Sequence, residues 1–300
     1  MRRFTVKAMG GTGSVWPAVD QDRGPVPTTA DVRGVWRRSL IEWADGSRDE
    51  TTAVRWVQGI SWYGDLRQPV GAPSFAGVGC LRDLSEDHLG WLARQQAFAG
   101  SLEREDGCFR WGHLVDLDVH GGQPDVGWLA WDGDALVETG RYLPYREAWQ
   151  RVPAGGQDRV AGLRLRDSCT GQAGLVVRVG SAFAYARARP GGVPHGLRAG
   201  GLPELVRDMD PPAAQDLLDC EVSLGEVGAG GWVIDRSSLP FRMGSRLDTA
   251  SPGVRPGDRR RAGLHHAVTA DVSPTGMPVT RTWQVVGVEG EVDALAAFTG

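Results

Sequence analysis

The feature that most constrains the fold is a series of short segments in which apolar and polar side chains alternate. They run from Gly34 to Trp43, from Val54 to Gln58 and from Trp62 to Arg67, and are rich in Trp, Tyr and Val. Alternation with a period of two is typical of β-strands. Short strands divided by Gly, Asp and Ser about every ten residues are typical of an antiparallel meander. The chain is therefore predicted to be all-β.

Similar segments occur in both halves of the chain. In the first half the predicted strands are Trp36–Trp43, Ala53–Gln58, Trp62–Arg67, Gln96–Glu103, Phe109–Asp118, Gly127–Trp131, Leu136–Gly140 and Tyr145–Val152. In the second half they are Val160–Asp167, Gly174–Arg189, Leu218–Glu226, Trp232–Ser238 and Thr282–Glu289. About eight strands in the first half are enough for one small barrel.

The Pro/Gly-rich segment 152–158 is interpreted as a linker between two units. We expect a loosely ordered N-terminal arm over 1–30, a first barrel with the candidate ligand site over 31–153, and a second barrel over 154–300. Ser85–Gln95 is predicted to contain a helical turn, with Ser85 as its N-cap. A short helix is predicted near Leu202–Met209, and Pro/Gly-rich loops at 190–203 and 248–263.

The composition excludes several classes of function. The formal net charge of −4 gives no basic surface for nucleic acid. No apolar stretch is long enough to cross a membrane and no secretion signal follows Met1, so we expect a cytoplasmic protein with no nucleic-acid or membrane partner. Lys7 is the only lysine, which argues against Schiff-base chemistry. The oligomeric state is left open.

No motif predicts a metal or an organic cofactor. Asp116–Gly121 begins like a calcium-binding loop, but Gly127 stands where the bidentate Glu is needed. The pair His265-His266 lacks the H-E-x-x-H context of a zinc enzyme. Gly77-Val-Gly79 lacks the third glycine of a dinucleotide-binding loop. We therefore expect neither a metal nor a cofactor.

Five short motifs occur in order along the chain: Tyr63-x-x-Leu-Arg67-x-Pro69, Ala97-Phe-Ala-Gly100, Glu138-Thr-Gly140, Tyr145-Arg-Glu-x-Trp-Gln150 and Gly174-Leu-Val-Val-Arg-Val-Gly180. Together they resemble the fungal Hri protein family over about residues 30–245. The resemblance implies two calycin-like (lipocalin-type) antiparallel β-barrels in tandem, with no established biochemical activity. The chain departs from the family in its N-terminal arm and in segments 190–215 and 248–280, which puts any shared partner in doubt.

Strand alternation places several polar residues of the first barrel on common faces. Tyr63, Asp65 and Arg67 share one face of their strand, and Glu147 shares a face with Arg151. A carboxylate and an arginine inside a barrel can bind an anion or a carbonyl group, or assist a proton transfer. The alternative is a structural Arg–carboxylate pair that closes the barrel base.

Glu138 and Glu147 are the predicted acid–base residues, with Arg67 as the anchor for a carbonyl or carboxylate and Gln58 as an orienting hydrogen bonder. Glu147 lies on the face of Arg151, so it is expected to stay ionised and to be structural. Glu138 has no nearby cation in the sequence, so a less polar setting can raise its pKa toward catalytic use.

The remaining candidate ligand-binding residues are mainly aromatic. Most of the tryptophans are expected in the core, and some are expected to form an aromatic wall. The predicted ligand-binding set is Gln58, Tyr63, Asp65, Trp56, Trp111, His113, Trp131 and Trp149. His113 is alternatively a packed core histidine, and it cannot line the cavity together with Asp116 if their strand is regular. The second half offers fewer convergent charges, so the site is placed in the first barrel.

These residues predict a cofactor-free enzyme that acts on a small, largely apolar or aromatic metabolite. Isomerisation, cyclisation or elimination by acid–base chemistry in the first-barrel cavity would suit specialised metabolism. One alternative is a non-catalytic carrier or sensor of the same kind of molecule. Another is a protein-interaction module whose barrels are solid.

Overall fold

The computed structural model describes residues 25–119, 123–156, 159–193, 201–248 and 265–298. Two antiparallel sheets follow one another along this part of the chain. The prediction of an all-β protein with two barrels in tandem is therefore confirmed. Most of the predicted N-terminal arm and the predicted loop at 249–263 lie outside the described residues.

The first sheet closes into a barrel. Eight of its nine strands form the wall, because β1 pairs with β3 on one side and with β9 on the other, while β2 only extends β1. Val35 lies opposite Val152 at the barrel base, and Trp43 lies opposite Tyr145 at the upper end. The strands are β1 (Gly34–Trp43), β2 (Arg48–Asp49), β3 (Ala53–Gln58), β4 (Trp62–Gln68), β5 (Gln96–Glu105), β6 (Cys108–Asp116), β7 (Asp125–Asp132), β8 (Ala135–Gly140) and β9 (Tyr145–Val152).

The second sheet is curled and its two edge strands are linked through one extended residue. Its order is β14-β13-β12-β11-β10-β16-β15. Between the edges, the Leu247 amide donates to the Trp232 carbonyl at 2.8 Å, and its carbonyl accepts from the Ala270 amide at 2.9 Å. The strands are β10 (Val160–Asp167), β11 (Ala173–Val179), β12 (Ala182–Arg187), β13 (Glu221–Gly228), β14 (Gly231–Ser237), β15 (His266–Val272) and β16 (Pro278–Gly290).

Short helices cover one side of the junction between the barrels. They are α1 (Glu86–Leu92), α2 (Leu202–Asp208) and α3 (Pro211–Leu217), with 3-10 turns at Leu81–Asp83, Pro240–Arg242 and Val292–Leu295. The Ser85 side chain accepts from the His88 amide, as the sequence predicts for an N-cap. None of the described helices is both long and apolar enough to cross a bilayer.

The structure corrects one predicted strand and contains elements that the sequence did not predict. Gly174–Arg189, predicted as one strand, is the hairpin β11–β12, which turns at Gly180 with a φ of +60°. Strand β15 and helix α3 were not predicted, because neither has the strong alternation or the apolar period that identifies an element from sequence. The other predicted strands occur, Ala53–Gln58, Tyr145–Val152 and Val160–Asp167 with the predicted ends and the rest with shifted ends.

The two barrels bury a shared apolar cluster. Val57 and Leu66 of the first barrel belong to the same cluster of buried side chains as Val177, Ala184 and Leu224 of the second. Burial of apolar surface on both sides stabilises the contact by about 25 cal/mol per Å². The barrels are thus held together by a common core as well as by the chain that links them.

A small cavity lies at this junction. It has a volume of about 30 Å³ and is lined by residues of both barrels, among them Val35, Val57, Phe183 and Leu224. A space of this size has room for one water molecule and none for a metabolite. The candidate site therefore has to be sought inside the first barrel.

Candidate functional site

Tryptophans fill the lower half of the first barrel. The ring centroid of Trp56 lies 6.0 Å from that of Trp36, 6.1 Å from that of Trp111 and 5.5 Å from that of Trp149, and Trp131 lies 6.0 Å from Trp36. These rings pack against one another, as expected for a solid core. Trp56 and Trp131, predicted to contact a ligand, are part of this packing.

The predicted orienting residue Gln58 also lies in the lower half. It is fully buried, and its side-chain oxygen accepts from the Trp56 indole at 3.1 Å. Its amide nitrogen is 3.4 Å from the carbonyl oxygens of Gly59 and Trp62. Its hydrogen bonds therefore serve the barrel base, and the structure does not bring Gln58 to the predicted acid–base residues.

Arg151 closes the barrel base. Its guanidinium lies 4.3 Å from the centre of the Trp36 ring and donates to the backbone carbonyls of Asp31 and Arg33. The predicted pair of Arg151 with Glu147 is therefore wrong. The two share a strand face, but they are four residues apart along an extended strand, which separates them by about 13 Å.

The upper half of the barrel contains a buried charged cluster, which we define as Arg38, Asp65, Arg67, Glu138 and Glu147. Glu147 Oε1 accepts from Arg38 at 2.6 Å and from Arg67 at 3.3 Å. Arg67 also makes a two-pronged contact with Asp65, at 3.1 and 3.2 Å. The predicted group Asp65–Arg67–Glu147 is thus brought together, with Arg38 as a member that the sequence analysis missed.

Arg67 is held on its faces as well as at its nitrogen atoms. The guanidinium carbon lies 5.1 Å from the centre of the Phe98 ring and 5.9 Å from that of Trp149. Stacking of this kind fixes the plane of the guanidinium. Since all three of its nitrogens already bond to Asp65 or Glu147, Arg67 is poorly placed to be the main anchor for an anionic group.

Glu138 faces Glu147 directly across the β8–β9 pair. Its Oε1 accepts from the Tyr145 hydroxyl at 2.6 Å. Burial, followed by the negative charges of Glu147 and Asp125, raises the pKa of Glu138 well above its usual value. The raised pKa favours the protonated form of Glu138, which is the form that a general acid requires.

His113 and Asp116 meet because strand β6 is irregular. Ala99 of β5 pairs with Val115, but the next residue, Gly100, pairs with His113, so Leu114 is an extra residue in β6. Such a β-bulge changes the face on which the following side chains lie. His113 Nδ1 is 2.6 Å from Asp116 Oδ2, so the prediction that they face opposite sides, made for a regular strand, does not apply.

The His113 ring lies at the rim of the barrel. It stacks on Phe98 with the ring centres 4.4 Å apart, and its Nε2 is 3.7 Å from Asp125 Oδ2. Burial lowers the pKa of His113, but the hydrogen bonds and negative charges of Asp116 and Asp125 outweigh it and raise the pKa to about 9. His113 is therefore a cation at neutral pH.

Three buried polar atoms in this half of the barrel have no hydrogen-bond partner among the described residues: the Tyr63 hydroxyl, Glu147 Oε2 and Trp149 Nε1. Tyr63 is fully buried, and Glu147 and Trp149 are each 1 % exposed. Natural proteins leave few buried polar atoms unpaired. Burial raises the pKa of the Tyr63 hydroxyl, and the negative charges of Asp125, Asp65 and Asp116 nearby raise it further.

The sequence contained signals for the residues that were missed. Arg38 has the parity of Trp36, a tryptophan that was expected in the core. Asp125 has the parity of Gly127 and Trp131, but the predicted strand began two residues too late to include it. The contact of Asp116 with His113 is not predictable from the sequence, because no residue pattern around Leu114 indicates the bulge. Tyr145 shares the face of Glu147 and Trp149 and was not selected as a site residue.

The second barrel contains a larger charged network than the sequence predicted. Both carboxylate oxygens of Glu221 are bonded, to Arg187 at 3.2 Å and to Arg242 at 3.1 Å. Asp271 lies 2.7 Å from Arg281 and 3.2 Å from Arg187. The prediction of fewer convergent charges here is wrong, but because these groups are paired with one another the network fits a structural role.

No group of three or more His, Cys, Asp or Glu side chains in the described part of the chain is arranged to hold a metal ion.

No protein-family model matches the chain. No curated protein matches it either. Among solved structures, an uncharacterized protein from Saccharomyces cerevisiae is similar, with 13% sequence identity and a TM-score of 0.49; the match covers 85% of this chain and 98% of that one.

Proposed function

We propose that the first barrel binds a small molecule at its upper end, beside the charged cluster. The observation that carries this proposal is that the Tyr63 hydroxyl, Glu147 Oε2 and Trp149 Nε1, all of the first barrel, are buried and have no hydrogen-bond partner among the described residues. Glu147 Oε2 can accept a hydrogen bond from a ligand, Trp149 Nε1 can donate one, and the Tyr63 hydroxyl can do either.

The energetic cost of these groups supports a ligand. A buried polar atom without a partner costs about 1–3 kcal/mol of folding stability. In the second barrel both oxygens of the buried Glu221 accept hydrogen bonds, unlike those of Glu147. A bound molecule with complementary polar atoms would recover the cost in the first barrel.

Access to the site is through its rim. The side chains of His113, Asp116 and Asp125 are 27 %, 35 % and 28 % exposed, whereas Glu147 below them is 1 % exposed. The site thus has a solvated entrance and a dry floor, which is the usual arrangement of a small-molecule site. The solid lower half of the barrel gives the site its floor.

The direct test is binding by fragments and by whatever the protein retains on purification. Compounds released on denaturation of the full-length protein are identified by mass spectrometry, and a fragment library is screened by the change in tryptophan fluorescence. Tyr63→Phe and Trp149→Phe should weaken binding by about tenfold each, the value of one hydrogen bond. Tyr185→Phe is the matched control, because Tyr185 is equally buried in the second barrel.

The proposal fails if the protein releases no compound and binds no fragment, or if every hit binds all three variants with the affinity of the unchanged protein. The second outcome would place binding elsewhere in the molecule. A protein-interaction module with solid barrels would then be the better description.

A second candidate function is acid–base catalysis on the bound molecule, without a cofactor. Glu138 favours it, because a protonated carboxyl beside a binding site can donate a proton in an isomerisation, cyclisation or elimination. With a bound compound in hand, turnover by the unchanged protein that disappears in Glu138→Gln and persists in Tyr185→Phe would support an enzyme. Binding without turnover would favour a carrier or sensor.

A further inference from the structure

The upper end of the first barrel has an excess of negative charge. Three cationic groups, Arg38, Arg67 and His113, contact the carboxylates there. Leaving Glu138 aside, the carboxylates in contact with them are Asp49, Asp65, Asp116, Asp125 and Glu147. With His113 protonated, two negative charges are not balanced, and Glu138 adds a third whenever it ionises.

Within the buried cluster Arg38 and Arg67 balance the charges of Asp65 and Glu147, so a negative charge on Glu138 would have no cation of the protein to balance it. Glu138 and Glu147 occupy opposed positions on β8 and β9, and they are 3 % and 1 % exposed. Glu147 uses Oε1 for both of its arginine contacts and leaves Oε2 unpartnered. Two carboxyl groups this close and this buried need a proton or a cation between them.

The protein's own cations cannot fill this position. Arg67 is committed to Asp65 and Glu147 Oε1 and is stacked between Phe98 and Trp149. Arg38 is bound to the same Glu147 oxygen and to Asp49. His113 faces away toward Asp116 and Asp125. When Glu138 is ionised, the cation between the two carboxylates therefore has to come from a ligand.

The surroundings suit an organic cation better than a metal ion. Two buried aromatic rings, Phe98 and Trp149, flank the Arg67 guanidinium that binds Asp65 and Glu147. Aromatic faces attract ammonium groups and provide apolar contact for the carbon atoms attached to them. Trp149 Nε1 and the Tyr63 hydroxyl are free to bond a further oxygen on such a molecule.

We propose that the ligand of the first barrel is a small protonated amine, with its ammonium group between Glu138 and Glu147 and its apolar body against Trp149 and Phe98. This inference rests on the proposed small-molecule site and names the class of its ligand. The ammonium N–H groups donate to Glu147 Oε2 and to the Glu138 carboxyl, and no covalent bond forms.

Binding of this kind displaces a proton. In the free protein burial and the charge of Glu147 raise the pKa of Glu138 and so favour its protonated form. An ammonium group beside it favours the carboxylate instead. Glu138 therefore releases its proton to the buffer as the amine binds, and about one proton should be released for each molecule bound.

The test uses three probes with the same ring and different charge: benzylamine, benzyl alcohol and benzoate. Titration calorimetry of the full-length protein at neutral pH should show benzylamine binding at least about tenfold more tightly than benzyl alcohol, since a hydrogen bond to a charged group is the stronger kind. Benzoate should bind least. Repeating the titration in phosphate and in MOPS, whose ionisation enthalpies differ and neither of which is a primary amine, measures the number of protons released.

Two variants complete the design. Glu138→Gln should weaken benzylamine binding and abolish proton release. Asp132→Asn should change neither, because Asp132 is an exposed carboxylate at the base end of β7. Glu147→Gln is not needed for the conclusion, so a folding defect in that variant leaves the test intact.

The outcomes separate the two proposals. If benzyl alcohol or benzoate binds as tightly as benzylamine and loses affinity in Tyr63→Phe, the site is real and the amine assignment is wrong. The assignment is equally wrong if benzylamine binds without releasing a proton. If none of the probes binds at concentrations up to the millimolar range and the fragment screen is also empty, both proposals fall.

Discussion

Glu138 and Glu147 face each other, yet their partners differ in charge. Glu147 neutralises two buried arginines, Arg38 and Arg67, whereas Glu138 bonds to Tyr145 and its raised pKa favours the protonated form. Removal of one partner from a buried ion pair costs about 3–5 kcal/mol. Glu147→Gln should therefore lower the melting temperature far more than Glu138→Gln, which replaces a neutral acid with a neutral amide of the same shape. Thermal unfolding of both variants by circular dichroism measures this; equal losses would contradict it.

The raised pKa of Glu138 also predicts how stability changes with pH. Because the folded state holds this proton more tightly than the unfolded chain, the stabilisation is complete below the unfolded pKa of about 4.5 and is lost as pH rises through the folded pKa. Glu138→Gln lacks this loss. As pH rises, the unfolding free energy of the Glu138→Gln variant should therefore increase relative to that of the unchanged protein by up to about 1.4 kcal/mol per pH unit.

Urea titrations of both proteins at about pH 5 and about pH 8 give that difference directly. The pKa of His113 is raised to about 9, so the stability that its protonated form contributes also falls over the upper part of this pH range. The fall is the same in both proteins and cancels in the difference between their unfolding free energies. A difference that stays constant with pH would mean that Glu138 is ionised in the folded protein.

At the scale of strands, the bulge in β6 depends on a glycine in its neighbour. A methyl group on Gly100 would overlap the carbonyl oxygen of Gly112, because the two backbones approach closely where Gly100 pairs with His113. Gly100→Ala should therefore destabilise the protein by about 1–3 kcal/mol, as overpacking does.

Gly112→Ala is the matched control for that prediction. A methyl group there meets only the Ser101 hydroxyl, at 3.1 Å, and this side chain can turn away. Chemical denaturation should show a much smaller loss for Gly112→Ala. Similar losses in the two variants would mean that the close approach at Gly100 is not what sustains the bulge.

At the scale of the whole molecule, Glu289 joins the barrels through hydrogen bonds. Its carboxylate, on β16, accepts from the amides of Ile60, Ser61 and Trp62 at 3.0–3.3 Å and from the Ser61 hydroxyl, all in the first barrel. Hydrogen bonds to a charged group contribute about 1.5–3 kcal/mol. Glu289→Gln should reduce stability by an amount in this range and speed hydrogen exchange at the three amides.

Glu291→Gln is the control, since Glu291 is exposed two residues further along. Exchange measured by NMR should be unchanged there. If Glu289→Gln leaves exchange at residues 60–62 as slow as before, Glu289 is not what protects these amides, and the barrels are held by the apolar cluster and by other hydrogen bonds, such as that of Gln68 to the Ser237 carbonyl.

Much of the fold could be predicted from the sequence, and the reason is that alternation is local. Ala53–Gln58, Tyr145–Val152 and Val160–Asp167 have the predicted ends, and the common face of Tyr63, Asp65 and Arg67 follows from their spacing alone. Side chains two residues apart on an extended strand share a face whatever the rest of the chain does.

Partners across the barrel were decided by the tertiary structure. The sequence gives the face of Glu147, but strand order and register determine that it meets Arg38 and Arg67, whereas Arg151 on its own face stacks on Trp36 at the base. The contact of His113 with Asp116 requires the extra residue Leu114 in β6, which only pairing with β5 reveals. By itself the sequence therefore determined which side chains share a face of a strand. Which face lines the barrel, which side chains meet, and which polar atoms are left without a partner depended on contacts between residues far apart in the chain.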